Sequence, residues 1–167
     1  MTWQQHAADL AASILYPQSR WWNAVTTVPR HLLMPRWFDW DSQAENWELR
    51  VGPSGERPWM TAAYSGRTRV TRVGPVHADE ASMGQRYQGW PTSSSTAPGL
   101  VIAMYRHAQV YDGADILDIG TGTGYGAALL TRRLGAEHVT SIDIDPYLTG
   151  TAGARLSALG LRPEIPG

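Results

Sequence analysis

The stretch Asp115-Ile116-Leu117-Asp118-Ile119-Gly120-Thr121-Gly122-Thr123-Gly124 constrains this chain more than any other. It reads as a strand running directly into a loop of alternating glycines. Without a Cβ, the backbone there can turn tightly and come close to a ligand. Tyr125 to Leu134 then reads as a helix closed by Gly135 in the C′ position, and His138 to Asp143 as a second strand. Asp145-Pro146 supplies an N-cap and a first-turn proline for a helix ending near Leu159-Gly160. Strand, glycine loop, helix, strand, helix is the first βαβ unit of a doubly wound parallel sheet, so the predicted class is α/β with a Rossmann-like arrangement.

The loop also suggests a ligand. The helix after it offers unpaired N–H groups and the positive end of its dipole. Asp143 lies nineteen residues after Gly124, at the carboxyl end of the neighbouring strand, where an acid can accept the hydroxyl protons of a ribose. Together these elements point to a nucleoside-cofactor site. The alternative is that Asp143 caps a loop and the glycines serve packing. A dinucleotide fingerprint can be laid on Gly122, Gly124 and Ala127, but that register begins two residues past the strand. The register Gly120, Gly122, Gly124 fits better, and it places Asp118 two residues before the first glycine. A carboxylate there repels a pyrophosphate and suits a cation. S-adenosyl-L-methionine brings an ammonium and a sulfonium, and is the favoured cofactor.

Composition narrows the rest. Among 167 residues, 14 basic and 15 acidic side chains leave a net charge of −1, without the broad positive field of a nucleic-acid binder. Every basic residue is arginine, so lysine Schiff-base and Walker-lysine chemistry are excluded. The absence of cysteine removes thiol nucleophiles, disulfides and thiolate metal sites, and fits a reducing, cytoplasmic setting. No signal peptide or membrane-spanning run is read. The five histidines are scattered, and His77-Ala78-Asp79-Glu80 reads as a solvated loop rather than a metal site.

All eight tryptophans fall within the first 90 residues, which suggests two units. Residues 1–95 form a Trp-rich region expected to be mostly helical or irregular. Residues 96–167 form the first part of the cofactor domain. Thr2 with Gln5 fits a capping box, followed by a helix that Tyr16-Pro17 ends. A short helix is read over 19–26, an irregular segment over 28–35, a loop or hairpin over 41–60, and an edge strand over 67–73. The run 91–98 reads as a serine-rich linker leading into a helix over 100–108. The tryptophans read as packing residues, and Arg30 as a surface arginine.

Ile116 to Tyr125 resembles the first motif of class I S-adenosylmethionine-dependent methyltransferases. Val28-Pro29-Arg30-His31-Leu32 and Pro98-Gly99-Leu100-Val101-Ile102-Ala103-Met104 narrow the resemblance to the protein-L-isoaspartate O-methyltransferase family, with Ser141-Ile142-Asp143 as its second-strand acid. The Trp-rich 37–59 stretch is more like an actinobacterial-type branch, some members of which methylate an aspartate in a ribosomally made peptide.

The resemblance implies methyl transfer to an aspartyl or isoaspartyl carboxylate of a protein or peptide. Asp118, Gly120, Thr121, Gly122, Thr123, Gly124, Tyr125 and Asp143 would hold the cofactor. Thr96 stands where the family has its active-site serine, with Ser94 and Ser95 as further hydroxyls that could orient the acceptor; the extra methyl of threonine bears on substrate fit. No metal, nucleic acid or membrane is implied. Residues 162–167 fall about where a third strand should begin, so a truncated form, or a second chain completing the sheet, is expected. Two other classes stay open: a nucleotide-binding oxidoreductase fragment, and a non-catalytic remnant acting as an interaction module.

Overall fold

The computed structural model of the chain describes residues 1–166. Thr2 caps α1 (Trp3–Ile14) through a reciprocal box: the Gln5 N–H donates to the Thr2 hydroxyl and the Thr2 N–H donates to the Gln5 side chain. After α2 (Trp22–Thr27) comes α3 (Arg30–Leu33), a single turn inside the segment read as irregular. Pro29 and Pro35 bracket it and keep it short.

The next sixty residues depart from the sequence reading. They were expected to be mostly helical or irregular, yet they build an antiparallel sheet. Its strands are β1 (Arg36–Asp41), β2 (Asn46–Val51), β3 (Arg69–Val73), β4 (Val76–His77), β5 (Arg86–Tyr87) and β6 (Pro91–Ser95), with α4 (Glu56–Tyr64) between β2 and β3. The order is β4-β3-β1-β2-β5, with β6 paired to β3. Local pattern hides this sheet because Trp37 packs into the helical core while Phe38 packs into the sheet's own core. Two consecutive buried aromatics erase the period-two alternation that marks a strand. The expected edge strand is internal: Val70 of β3 faces Phe38 of β1 on one side and Ser94 of β6 on the other. The expected linker is itself a strand, β6, because its small side chains leave the backbone free to pair.

The remainder follows the sequence closely: α5 (Pro98–His107), β7 (Ile116–Ile119), α6 (Tyr125–Leu134), β8 (Val139–Ile142) and α7 (Pro146–Ala158). β7 and β8 pair in parallel from Ile116↔Val139 to Ile119↔Ile142. On the other side of β8, the Ser141 N–H donates to Glu164 O at 2.8 Å and the Glu164 N–H to Val139 O at 2.9 Å, a third parallel position.

One buried cluster joins Leu10, Val25, Leu33 and Met60 to Ile102, Leu129, Leu130 and Leu156, so it crosses position 95. A smaller one holds Phe38, Leu49, Val73, Ala78 and Ala81. Leu117 and Ile119, on one face of β7, remain exposed. No helix of the described residues is long and apolar enough to cross a membrane.

Candidate cofactor and acceptor site

The glycine loop turns as its composition requires. Gly120, Gly122 and Gly124 have φ of 95°, 51° and 84°, a region that other residues enter only with strain. The N–H groups of Gly120 and Thr121 both donate to Ile142 O, at 2.8 and 3.1 Å, which anchors the loop to the end of β8. Beneath it, the Ser141 hydroxyl donates to Asp118 Oδ2 at 2.8 Å and lies 2.8 Å from Thr121 Oγ1. Since a hydroxyl has one proton, Thr121 donates to Ser141, and the relay ends on Asp118. Burial pushes the Asp118 carboxyl above its ordinary value; the Ser141 hydroxyl opposes this and the charge of Asp143 adds to it. Among the described residues no arginine or histidine lies within ion-pair distance of Asp118 or Asp143.

A cavity of about 180 Å³ opens over this acid, smaller than the roughly 300–1,000 Å³ usual for a whole-ligand pocket. Of the residues singled out in the sequence, Ser94, Thr96, Asp118, Gly120, Thr121, Gly122, Thr123 and Tyr125 line it. Val101, Met104, Tyr105, Ile119 and Gly126 complete the wall, and sequence reasoning did not assign them to the site. Gly126 has a packing reason to be glycine: a Cβ there would sit 2.6 Å from Tyr105 Oη. The Tyr125 hydroxyl is buried and has no hydrogen-bond partner, and burial pushes it up to about 12.

Three residues singled out from the sequence lie elsewhere. A Cβ on Gly124 would meet Ala152 at 3.1 Å and Leu156 at 3.2 Å, so this glycine lets α7 pack against the loop. Ser95 is turned inward, its hydroxyl accepting from Arg30 at 3.3 Å. Asp143 does not line the cavity; its oxygens accept the N–H groups of Gly122 at 3.0 Å and Asp145 at 3.1 Å. It braces the loop from beside it, and a carboxylate with about four acceptor sites retains capacity for further donors.

Arg30 was read as a surface residue, and the structure corrects this. It is fully buried and donates to the carbonyls of Ala63 (2.6 Å), Arg67 (3.1 Å), Ser95 (3.1 Å) and Thr96 (3.2 Å). Burial lowers its pKa to about 10, so it stays charged at neutral pH and pins the end of β6 that faces the cavity. Its neighbour His31 lies with Nδ1 2.8 Å from the Tyr64 hydroxyl, and burial lowers it to about 4.

The 77–80 segment, read as a solvated loop, instead grips α7. His77 Nε2 and Arg72 Nη1 lie 3.0 and 3.1 Å from Asp145 Oδ2, while Asp79 accepts from Tyr147 at 3.0 Å and Arg155 at 2.7 Å. The segment can hold these groups out of solvent because their partners run along one helix, from the Asp145 cap through Tyr147 to Arg155 in its last turn. Among the described residues no cluster of His, Asp and Glu is arranged to hold a metal.

A model of the family "Protein-L-isoaspartate(D-aspartate) O-methyltransferase (PCMT)" matches residues 76–164. The protein-L-isoaspartate O-methyltransferase of Ignicoccus hospitalis is 41% identical over 66 residues, which is 39% of this chain and 31% of that protein. That of Gloeobacter violaceus is 43% identical over 65 residues, covering 39% and 31%. A solved structure titled protein-L-isoaspartate O-methyltransferase has a similar fold, with a TM-score of 0.58 at 18% identity, covering 98% of this chain and 41% of that one. The matched stretch thus spans about a third of the curated relatives' length.

Proposed function

Because the chain belongs to the protein-L-isoaspartate(D-aspartate) O-methyltransferase family, we propose that it binds S-adenosyl-L-methionine at the glycine loop and directs its methyl group to a carboxylate. The acceptor is the side chain of an isoaspartyl or aspartyl residue in a protein or peptide. The observation that carries this reading is the acid pair Asp118–Asp143 at the glycine loop, uncompensated by any cation within ion-pair distance among the described residues.

The residues fit the cofactor. Asp118 faces the cavity with raised affinity for positive charge and suits the methionine ammonium. The bare main chain of Gly120 leaves open space, since a Cβ there would meet nothing within 4 Å. Asp143, already holding Gly122, has acceptor sites left for a ribose hydroxyl. The cavity's volume suits one end of such a molecule, and Asp143, outside it, would hold the sugar.

When bound, the cofactor supplies an electrophilic methyl group on a sulfonium. A carboxylate acceptor is already ionised at neutral pH, so no residue has to remove a proton. Ser94 and Thr96 line the same cavity as the loop, and their hydroxyls can hold the acceptor in line. Val101, Met104 and Ile119 give that approach an apolar lining, which favours shedding water from the attacking oxygen. Asp118 also disfavours a pyrophosphate at the loop, which weighs against a dinucleotide cofactor.

The test is transfer of a labelled methyl group to matched isoaspartyl, aspartyl and asparaginyl peptides. The expected product is a base-labile ester on one or both acidic peptides and none on the asparaginyl control. Label on neither acid would contradict the proposal, and the ratio between the two acids names the acceptor.

A further inference from the structure

Asp143 is the acid assigned above to the cofactor's sugar, and part of what aims it comes from the antiparallel sheet. Each of its oxygens accepts a main-chain N–H: Gly122 donates to Oδ2 at 3.0 Å and Asp145 to Oδ1 at 3.1 Å. The first of these donors belongs to the glycine loop. The second sits on residue 145, whose own place is decided by what holds its side chain.

That side chain is held at both oxygens. Oδ1 accepts the Tyr147 N–H at 3.0 Å and so caps α7. Oδ2 lies 3.0 Å from His77 Nε2 and 3.1 Å from Arg72 Nη1. Arg72 of β3 and His77 of β4 stand directly opposite each other in their hairpin, so both side chains project from one face towards one oxygen. The buried His77 ring also lies 4.2 Å from the ring of Tyr147, which closes the contact from the helix side. Neither contact to Oδ2 is aligned as a hydrogen bond, so the hold there is one of charge and packing. Water and salt screen such a partly buried pair only weakly. The cap at Oδ1 serves the helix; the grip on Oδ2 ties residue 145 to the hairpin.

We propose that Arg72 and His77 are positioning residues for the cofactor's ribose. By clamping Asp145 they set the N–H that orients the Asp143 carboxylate. This rests on the reading of Asp143 as the sugar-binding acid and adds the residues that aim it, which lie in the other sheet.

The test compares, by calorimetry, S-adenosylhomocysteine with its 2′-deoxy and 3′-deoxy analogues. The ratio of affinities reads the sugar contact and cancels any general loss of binding. The wild-type chain is expected to bind at least one deoxy analogue about tenfold more weakly, the loss of one hydrogen bond to a charged group. Asp145→Asn keeps a capping oxygen for α7 and removes the charge that the hairpin grips. It should reduce the ratio to about threefold, because a misaimed carboxylate no longer rewards the hydroxyl. Arg72→Gln combined with His77→Gln leaves Asp145 intact and should have the same effect. An unchanged ratio in either variant, whatever the fall in its overall affinity or melting temperature, would overturn the positioning role and leave these contacts as a fastening of the hairpin to α7. A wild-type chain that binds all three ligands equally, or Asp143→Ala with the wild-type ratio, would take the sugar away from Asp143 and the proposal with it. Failure of the wild-type chain to bind S-adenosylhomocysteine at all would bring down the cofactor reading itself, and this inference with it.

Discussion

The antiparallel sheet of residues 36–95 and the parallel pair β7–β8 are built by opposite means. In the first, shape comes largely from residues paired across strands distant in sequence: Phe38 with Val70 and Trp47 with Tyr87. In the second, shape comes from main-chain demands made locally: three left-handed glycines, the Asp145 cap and a proline at the head of α7. The candidate site lies where they meet, with the loop and Asp118 from the parallel part and Ser94 and Thr96 from the antiparallel part. The 72–79 contacts to α7 fasten the two together, and Arg30 pins the end of β6 while its guanidinium lies 5.4 Å from the Tyr125 ring centroid. The difference teaches that a local motif can specify where a cofactor goes, while the wall facing it depends on pairings that no short stretch specifies.

Breaking the fastening should have the largest effect. Arg30→Ala strands the carbonyls of Ala63 and Ser95 in the interior and frees those of Arg67 and Thr96 at its edge, and a cost of about 3 kcal/mol is expected from denaturant unfolding. Arg30→Lys should not restore it, because an ammonium cannot reach the same carbonyls as a planar fork. Acid should loosen the same region. His31 titrates near 4 when folded and near 6.5 when unfolded, so below 6.5 the unfolded chain binds the extra proton. Its contribution is complete above about pH 6.5 and is lost as pH falls to 4, by roughly 3 kcal/mol. Thermal melts over that range should show the slope, and His31→Gln should flatten it.

A change confined to the parallel part should be smaller. Gly124→Ala forces a Cβ into the left-handed region and against Ala152, so a loss of about 2 kcal/mol is expected in the same unfolding assay. Tyr125→Phe sharpens the comparison from the functional side. It deletes a buried, unpaired hydroxyl closed off from the cavity, so stability should hold or rise slightly, and S-adenosylhomocysteine affinity should stay the same.

How far each part could be read from the sequence follows from the same contrast. Tyr125–Leu134 and the Asp145–Pro146 start of α7 were legible to the residue because caps and glycines act within a turn of themselves. The loop's alternating glycines located the cavity. The sheet was not legible, because β1 buries both faces and Ser93–Ser95 carry no strand signal until β3 pairs with them. Arg30 was misplaced for a related reason: its partners are carbonyls 33 to 66 residues away, and carbonyls leave no trace in side-chain pattern. The His77–Asp145 contact likewise spans elements whose adjacency only the fold reveals.

The role of Asp118 decides the most. Calorimetric titration with S-adenosylhomocysteine should show binding to the wild-type chain and at least tenfold weaker binding to Asp118→Asn, as loss of a charge-assisted hydrogen bond implies. The unliganded variant should melt no lower than wild type, because burying that charge works against folding. Equal affinity in the two proteins, or a variant that binds normally but melts lower, would make Asp118 a structural residue and contradict a cation-binding loop.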